Sequence, residues 1–192
     1  HAEIKLPAIF SDGMVMQQQT NANLWGTATP HKKVTVTTSW NRKQYAATAD
    51  KNGAWKLTVA TPEAGGPYTV TFDDGTQKKL NNILIGELWL CSGQSNMEMP
   101  MKGFKNQPVE NANMDILHSK NPQIRLFTVK RTSTFTLQND VVGSWKEATT
   151  ASVRDFSATA YYFGSLVTEI FAVPVGLFVA ALGGSYWKGW VH

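Results

Sequence analysis

The run CSGQSNMEM, Cys91 to Met99, follows directly on the apolar stretch ILIGELWL at 83–90. Two serines, a glycine and two amides closing a buried-looking strand have two readings. One is a loop that only turns the chain, or an N-cap serine of the kind that begins many helices. The other is a turn that holds a hydroxyl out where it reacts. Ligands of parallel sheets bind in the crevice outside the carboxyl ends of the strands. Ser95 falls there, shortly after Gly93, whose missing Cβ admits backbone geometry that other residues resist. A helix starting just beyond would bring free backbone N–H groups and the positive end of its dipole beside the serine, an arrangement suited to a developing oxyanion. The chemistry is acyl transfer through a serine nucleophile.

A serine at neutral pH is a weak nucleophile and needs a base that a third group orients. The chain offers His1, His31, His118 and His192. The first and last are termini, and His31 lies in an expected hairpin. Asp115 and His118 are three residues apart on an expected helix and share a face of it. A single cysteine, Cys91, excludes an intrachain disulfide and a multi-cysteine zinc site. No metal or organic cofactor is called for.

The elements that must position these residues differ between the two parts of the chain. From about residue 20 to 85, LWGTA, KVTVTTSW, KQYAATAD, AWKLTVA and PYTVTFDD alternate apolar and polar residues between turn signals such as DKNG, GGP and DDG. Short, Thr- and Val-rich strands at this spacing predict a small antiparallel sandwich. After residue 83 the texture changes. ILIGELWLCSG, PQIRLFTV and VGLFVAAL read as buried strands, with NQPVENANMDILHS and FSATAYYFGSLVTEIF as helices between them. Strands alternating with helices predict a parallel sheet wrapped by helices. We therefore expect an α/β chain with a β-sandwich-like region over 1–82 and an α/β/α region over 83–192. The connection 131–155 is long for a βα loop and has room for a short hairpin or part of a site rim. Tyr161, Tyr162 and Phe163 are expected in the core.

The chain has 192 residues, 42% hydrophobic and 17% charged, which is ordinary for a globular protein. Its longest apolar run is strand-sized, so no membrane span is expected. The net charge of +4 is scattered rather than clustered along a face, which argues against nucleic acid as a partner.

The run GELWLCSGQSNMEMP resembles the nucleophile block of the sialate O-acetylesterase-like branch of the SGNH (GDSL-like) hydrolases, with Ser95 at the catalytic position. LPAIFSDGMVMQQQTNANLWGTA and DKNGAWKLTVATPEAGGPYTVTF are similar to the family's N-terminal β-domain. VGLFVAALGGSYWKGW resembles its second block, with Gly183 and Gly184 on the paired glycines and Trp190 on the final tryptophan. Leu182, Lys188 and Gly189 depart from the family's tryptophan, glutamate and alanine. The resemblance implies an SGNH-type, flavodoxin-like catalytic domain and an oxyanion hole formed by the backbone N–H groups of Ser95 and Gly184, with Gly183 the close competitor. Both glycines also suit a plain turn after a strand.

Gln94 and Asn96, flanking the serine, are candidate substrate-binding residues. Trp187 and Trp190 are candidates for a wall against which a sugar packs, or for core filling. The Asp115–His118 pair reproduces the family's D-x-x-H spacing, but in the family that block follows the second block. The resemblance thus implies a carbohydrate O-acetylesterase, sialic acid being the first substrate expected and acetylated xylan or another polysaccharide the alternative. A non-catalytic carbohydrate-binding module is the reading from a different class. The 192 residues are expected to be the N-terminal part of an exported, periplasmic or extracellular protein, with the base supplied by the remainder of the polypeptide or a complementary chain. The fragment alone is then expected to be nearly inactive.

Overall fold

The structure, a computed structural model, describes residues 3–92, 97, 99–103, 109–130 and 141–180. The strands foreseen before residue 85 form, and alternation decides their faces. In β3 (Lys33–Thr38) Val34, Val36 and Thr38 turn inward, and in β5 (Ala54–Ala60) Trp55 and Val59 do. β2 (Asn21–Thr27) and β5 make a separate antiparallel pair. Their buried Leu24, Trp55 and Val59 share one core with Val34, Val36, Val70 and Phe72. The Trp55 and Phe72 rings lie 5.9 Å apart across that core. Two side chains tie the layers at one backbone site. Trp40 Nε1 donates to the Ala60 carbonyl at 2.9 Å, and the Ala60 N–H donates to the Tyr45 hydroxyl at 3.1 Å. The DKNG turn closes on Asp50, whose carboxylate accepts the N–H groups of Asn52 and Ala54. Gly53 there has φ +84, and a Cβ would stand 2.4 Å from the Ala28 carbonyl oxygen.

β3 also pairs with β4 (Gln44–Thr48) and β6 (Gly65–Asp73), and β6 pairs with β7. β7 (Gln77–Ser92) is sixteen residues long and spans both textures of the sequence. Residue 82, where the texture changes, lies inside it, with Asn82 at φ 57. β7 runs antiparallel to β6 over its first part, parallel to β1 (Val15–Gln17) over 84–86, and parallel to β10 (Val175–Ala180) over 87–92. The result is one mixed, mostly antiparallel sheet with a few parallel strands, ordered β4-β3-β6-β7-β10-β8-β9, with β1 attached to β7.

β8 (Asn121–Thr128) is parallel to β10, and β9 (Trp145–Ala148) is antiparallel to β8. This order differs from the flavodoxin-like one expected, in which the first strand lies between the second and third. Here the third strand, β10, lies between the other two. Burial gives the reason: every residue of β10 is buried, whereas the first residues of β8 are not, so β10 takes the place covered on both faces and both edges.

Among the described residues three helices cover one face of this part: α1 (Ala112–Leu117), α2 (Thr150–Arg154) and α3 (Ala158–Phe171). α3 forms where periodicity placed it, burying Ala158, Tyr161, Gly164 and Val167. Tyr162 and Phe163 are not core as expected: they are 37% and 39% exposed, because they fall off that stripe. The helix expected across NQPVENANMDILHS is described only as α1, beginning after a left-handed Asn111 that makes no side-chain cap. α2 begins with a reciprocal capping box between Thr149 and Ser152. Among the described residues no helix is long and apolar enough to cross a membrane.

Candidate active site

Ser95, Gln94 and Asn96 lie outside the described residues, as do Gly183, Gly184, Trp187 and Trp190. The structure does describe the frame that delivers them. β7 ends at Ser92 and β10 ends at Ala180, side by side and parallel, with Cys91 level with Val179 and Ser92 level with Ala180. Thr128 of β8 completes the Val179 row. The strand ends that precede the serine- and glycine-bearing segments therefore lie side by side, at one level and pointing in one direction. That is the carboxyl end of the parallel strands, where such sheets bind ligands.

The far side of the serine turn is anchored as well. The Ala158 N–H donates to the Met99 carbonyl at 2.8 Å, the Met101 N–H to Phe156 at 2.9 Å and the Lys102 N–H to Arg154 at 3.0 Å. Segment 99–103 thus runs against the start of α3, and Ser157, which caps that helix, also reaches Met97 Sδ at 3.8 Å. Met101, fully buried, fills the space beneath. The described residues on either side of the Ser95 segment are thus fixed by a sheet on one side and by a capped helix start on the other.

Cys91, just before the turn, is buried and points toward the helices, among Leu177, Val179 and Met101. Burial pushes its thiol up to about 11, so it is a neutral packing residue at physiological pH, not a nucleophile.

Asp115 and His118 lie elsewhere. His118 ends α1 just before β8 begins at Asn121, the amino end of the parallel strands. Seven residues of β8 then separate Asn121 from Thr128, which is level with Cys91. At 3.3 Å per residue that is about 23 Å. Asp115 is also committed: its carboxylate accepts the Tyr162 hydroxyl at 2.6 Å, joining α1 to α3. Burial and then this hydrogen bond push Tyr162 up to about 12. The pair is a helix clasp at the wrong end of the sheet. His31, in a turn at φ 65, is exposed on the sandwich-like part.

Sequence reading overlooked Arg125. A lone cation within PQIRLFTV looks like a surface residue, yet it is 2% exposed. Its guanidinium donates to the carbonyls of Pro122, Gly13 and Asn82 and to the Asn82 side chain, locking β8, β7 and the N-terminal segment together. Among the described residues no group of three His, Cys, Asp or Glu side chains is placed to hold a metal ion.

The fold is similar to that of a carbohydrate acetylesterase of known structure. The crystal structure of a carbohydrate acetylesterase from Xanthomonas citri superposes with a TM-score of 0.84 at 29% identity, covering 97% of this chain and 42% of that one. Among curated proteins the chain is similar to sialate O-acetylesterases: 26% identical to that of Pongo abelii and 25% to that of Homo sapiens, in each case over 97% of this chain and 38% of the relative. The Mus musculus protein is 27% identical over 92% of this chain and 35% of its own length. No protein-family profile matches. The resemblance to the sialate O-acetylesterase-like branch thus extends over most of the chain, which spans less than half the length of these relatives.

Proposed function

We propose that this chain supplies the nucleophile and part of the oxyanion hole of a serine esterase that removes O-acetyl groups from carbohydrate, an acetylated sialic acid being the first substrate. The observation that supports the reading is the register of β7 and β10, whose last residues Ser92 and Ala180 lie level in adjacent parallel strands; Ser95 and Gly184 follow those ends within four residues in the sequence. Residues 1–82 act as an accessory β-region and 83–192 as the beginning of the catalytic region, in a protein that works in the periplasm or outside the cell.

Ser95 Oγ attacks the acetyl carbonyl carbon while a histidine beyond residue 192, oriented by a carboxylate, takes its proton. The carbonyl π electrons move onto oxygen, and the N–H groups of Ser95 and Gly184 hold that oxyanion. Collapse expels the sugar alkoxide, which takes the proton from the imidazolium and leaves as the alcohol. Water, deprotonated by the same histidine, then cleaves the acetyl-serine, releasing acetate. Gln94 and Asn96 flank the ester, and Trp187 and Trp190 offer flat apolar faces to the sugar ring. The names of the relatives, sialate and carbohydrate acetylesterases, support this assignment of reaction and substrate class.

The test is Ser95→Ala in the full-length protein, assayed for acetate release from acetylated sialic acid. The variant is expected to lose at least three orders of magnitude in kcat with its fold intact by circular dichroism. Wild-type turnover would remove Ser95 from the mechanism.

A further inference from the structure

On the helix-covered face, beside the carboxyl end of β8, lies a cleft of about 280 Å³. Lys130, Lys146, Ser144, Ser152 and Asp155 line it, above Leu126. Its position follows from register. Thr128, Val179 and Cys91 form one row across β8, β10 and β7. Lys130 stands two residues past that row, at the end of the sheet from which the Ser95 turn departs. Two strand spacings, about 10 Å, separate β8 from β7. The cleft also touches the chain that follows the serine, because Asp155 pairs with Lys102 at 2.8 Å.

Charge on this cleft is one-sided. Asp155 is the single carboxylate among the described lining residues, and Lys102 already holds it. The Lys102 hydrogen bond, with Arg154 and Lys146 nearby, keeps the Asp155 carboxyl below its ordinary range. Glu147, next to Lys146 in the chain, points to the opposite face of β9, 3.5 Å from Arg125. Lys130 and Lys146 therefore line the cleft with hydroxyls beside them, and the described carboxylate near them, Asp155, is already paired with Lys102. A neutral sugar has no need of two ammonium groups here; a sugar acid does.

We propose that Lys130 and Lys146 form a subsite that binds the carboxylate of an acetylated sugar acid while its ester reaches the Ser95 turn. This rests on the esterase reading above and makes a sugar acid, rather than a neutral polysaccharide, the preferred substrate. A cleft of one sign concentrates an anionic ligand and orients it, and the effect weakens as salt screens it.

The test compares the full-length wild type with Lys130→Gln/Lys146→Gln on two substrates, an acetylated sialic acid and an acetylated neutral xylo-oligosaccharide. The ratio of their kcat/KM values is expected to fall about tenfold or more in the double variant, mostly through KM of the anionic substrate. Lys130→Arg/Lys146→Arg should restore it, and added salt should lower the ratio in the wild type only. A ratio within twofold of wild type would overturn the subsite. Binding of deacetylated sialic acid, followed by calorimetry in the Ser95→Ala background, separates the two ideas. Loss of that binding in the lysine double variant supports the subsite even where the nucleophile assignment has failed; binding unchanged by the lysine substitutions refutes the subsite alone.

Discussion

Replacing Arg125 by methionine keeps an unbranched apolar stem and removes the charge and the donors. In the native protein Nε donates to the Pro122 carbonyl at 2.7 Å, and Nη1 donates to the Gly13 and Asn82 carbonyls at 2.9 Å each. Nη2 donates to Asn82 Oδ1 at 3.1 Å. Hydrogen bonds to a charged group are each worth about 1.5–3 kcal/mol. Their simple sum overshoots, because burying the guanidinium has its own cost, seen in the lowering of its pKa by desolvation. Breaking a buried charged network by removing one partner costs about 3–5 kcal/mol, since the acceptors stay buried. In a chain of this size each kcal/mol moves Tm by roughly 2–4 °C, so the expected drop is about 10 °C. Urea and thermal unfolding followed by circular dichroism measure it. Glu147 is the control: it lies 3.5 Å from the guanidinium but its side chain is 46% exposed, so Glu147→Gln should cost less than about 1 kcal/mol. If Arg125→Met cost no more than Glu147→Gln, the guanidinium would not be the fastening that the geometry describes.

Two smaller perturbations test the packing under the site. Gly164→Ala gains about 1 kcal/mol of helix propensity, but the new Cβ would stand 2.5 Å from Cδ1 of the fully buried Leu177. Overpacking at about 1–3 kcal/mol wins, so the variant should be less stable in urea; a more stable one would mean that α3 sits loosely on β10. Cys91 should label with a thiol reagent at pH 8 at least a hundredfold more slowly in the native protein than in denaturant. Its folded pKa of about 11 lies above its ordinary 9.0, so this group's contribution to stability is complete below about pH 9 and is lost as pH rises toward 11. Equal labelling rates in the two states would contradict a buried, neutral thiol.

Much of the scaffold was legible in the sequence, because alternation and apolar runs report burial directly. KVTVTTSW and AWKLTVA form strands with the expected residues inward, and FSATAYYFGSLVTEIF is a helix capped by Ser157. What pattern could not supply was partner choice. That β10 lies between β7 and β8 follows from its burial on both faces, which is a property of the assembled sheet. Arg125 was illegible for a related reason: a guanidinium enters a core only where several carbonyls converge, and those of Gly13 and Asn82, which join the local Pro122 carbonyl here, come from distant points in the chain. The Lys130 and Lys146 cleft hid among scattered charges, since the β8–β9 pairing brings the two together. At the candidate site, the motifs point to Ser95 and to Gly184 or Gly183, which lie outside the described residues, while the level at which β7 and β10 end needed the register.

The feature that joins the two textures of the chain is a change of partner within one strand. β7 pairs with β6 as far as Ile85 and with β10 from Glu87 onward, so Gly86 is where one neighbour leaves and the other arrives. Alternation of backbone groups shows that both neighbours use the same edge. The Leu84 N–H donates to the Met14 carbonyl and the Gly86 carbonyl accepts the Gln18 N–H, at the two ends of β1, whereas the Glu87 N–H points the other way, to the Pro174 carbonyl at 2.9 Å. A Cβ on Gly86 would stand 2.0 Å from that same Pro174 oxygen, so only glycine lets β10 begin there. Moving the start of β10 along β7 would shift the Cys91–Val179 row, and with it the relative height at which the Ser95 and Gly184 segments leave the sheet. A nucleophile and an oxyanion donor must agree to within about half an ångström. The sandwich-like part is therefore more than an appendage: through β6, Gly86 and the continuous β7 it fixes the level at which β7 ends, the level from which the proposed nucleophile segment would start.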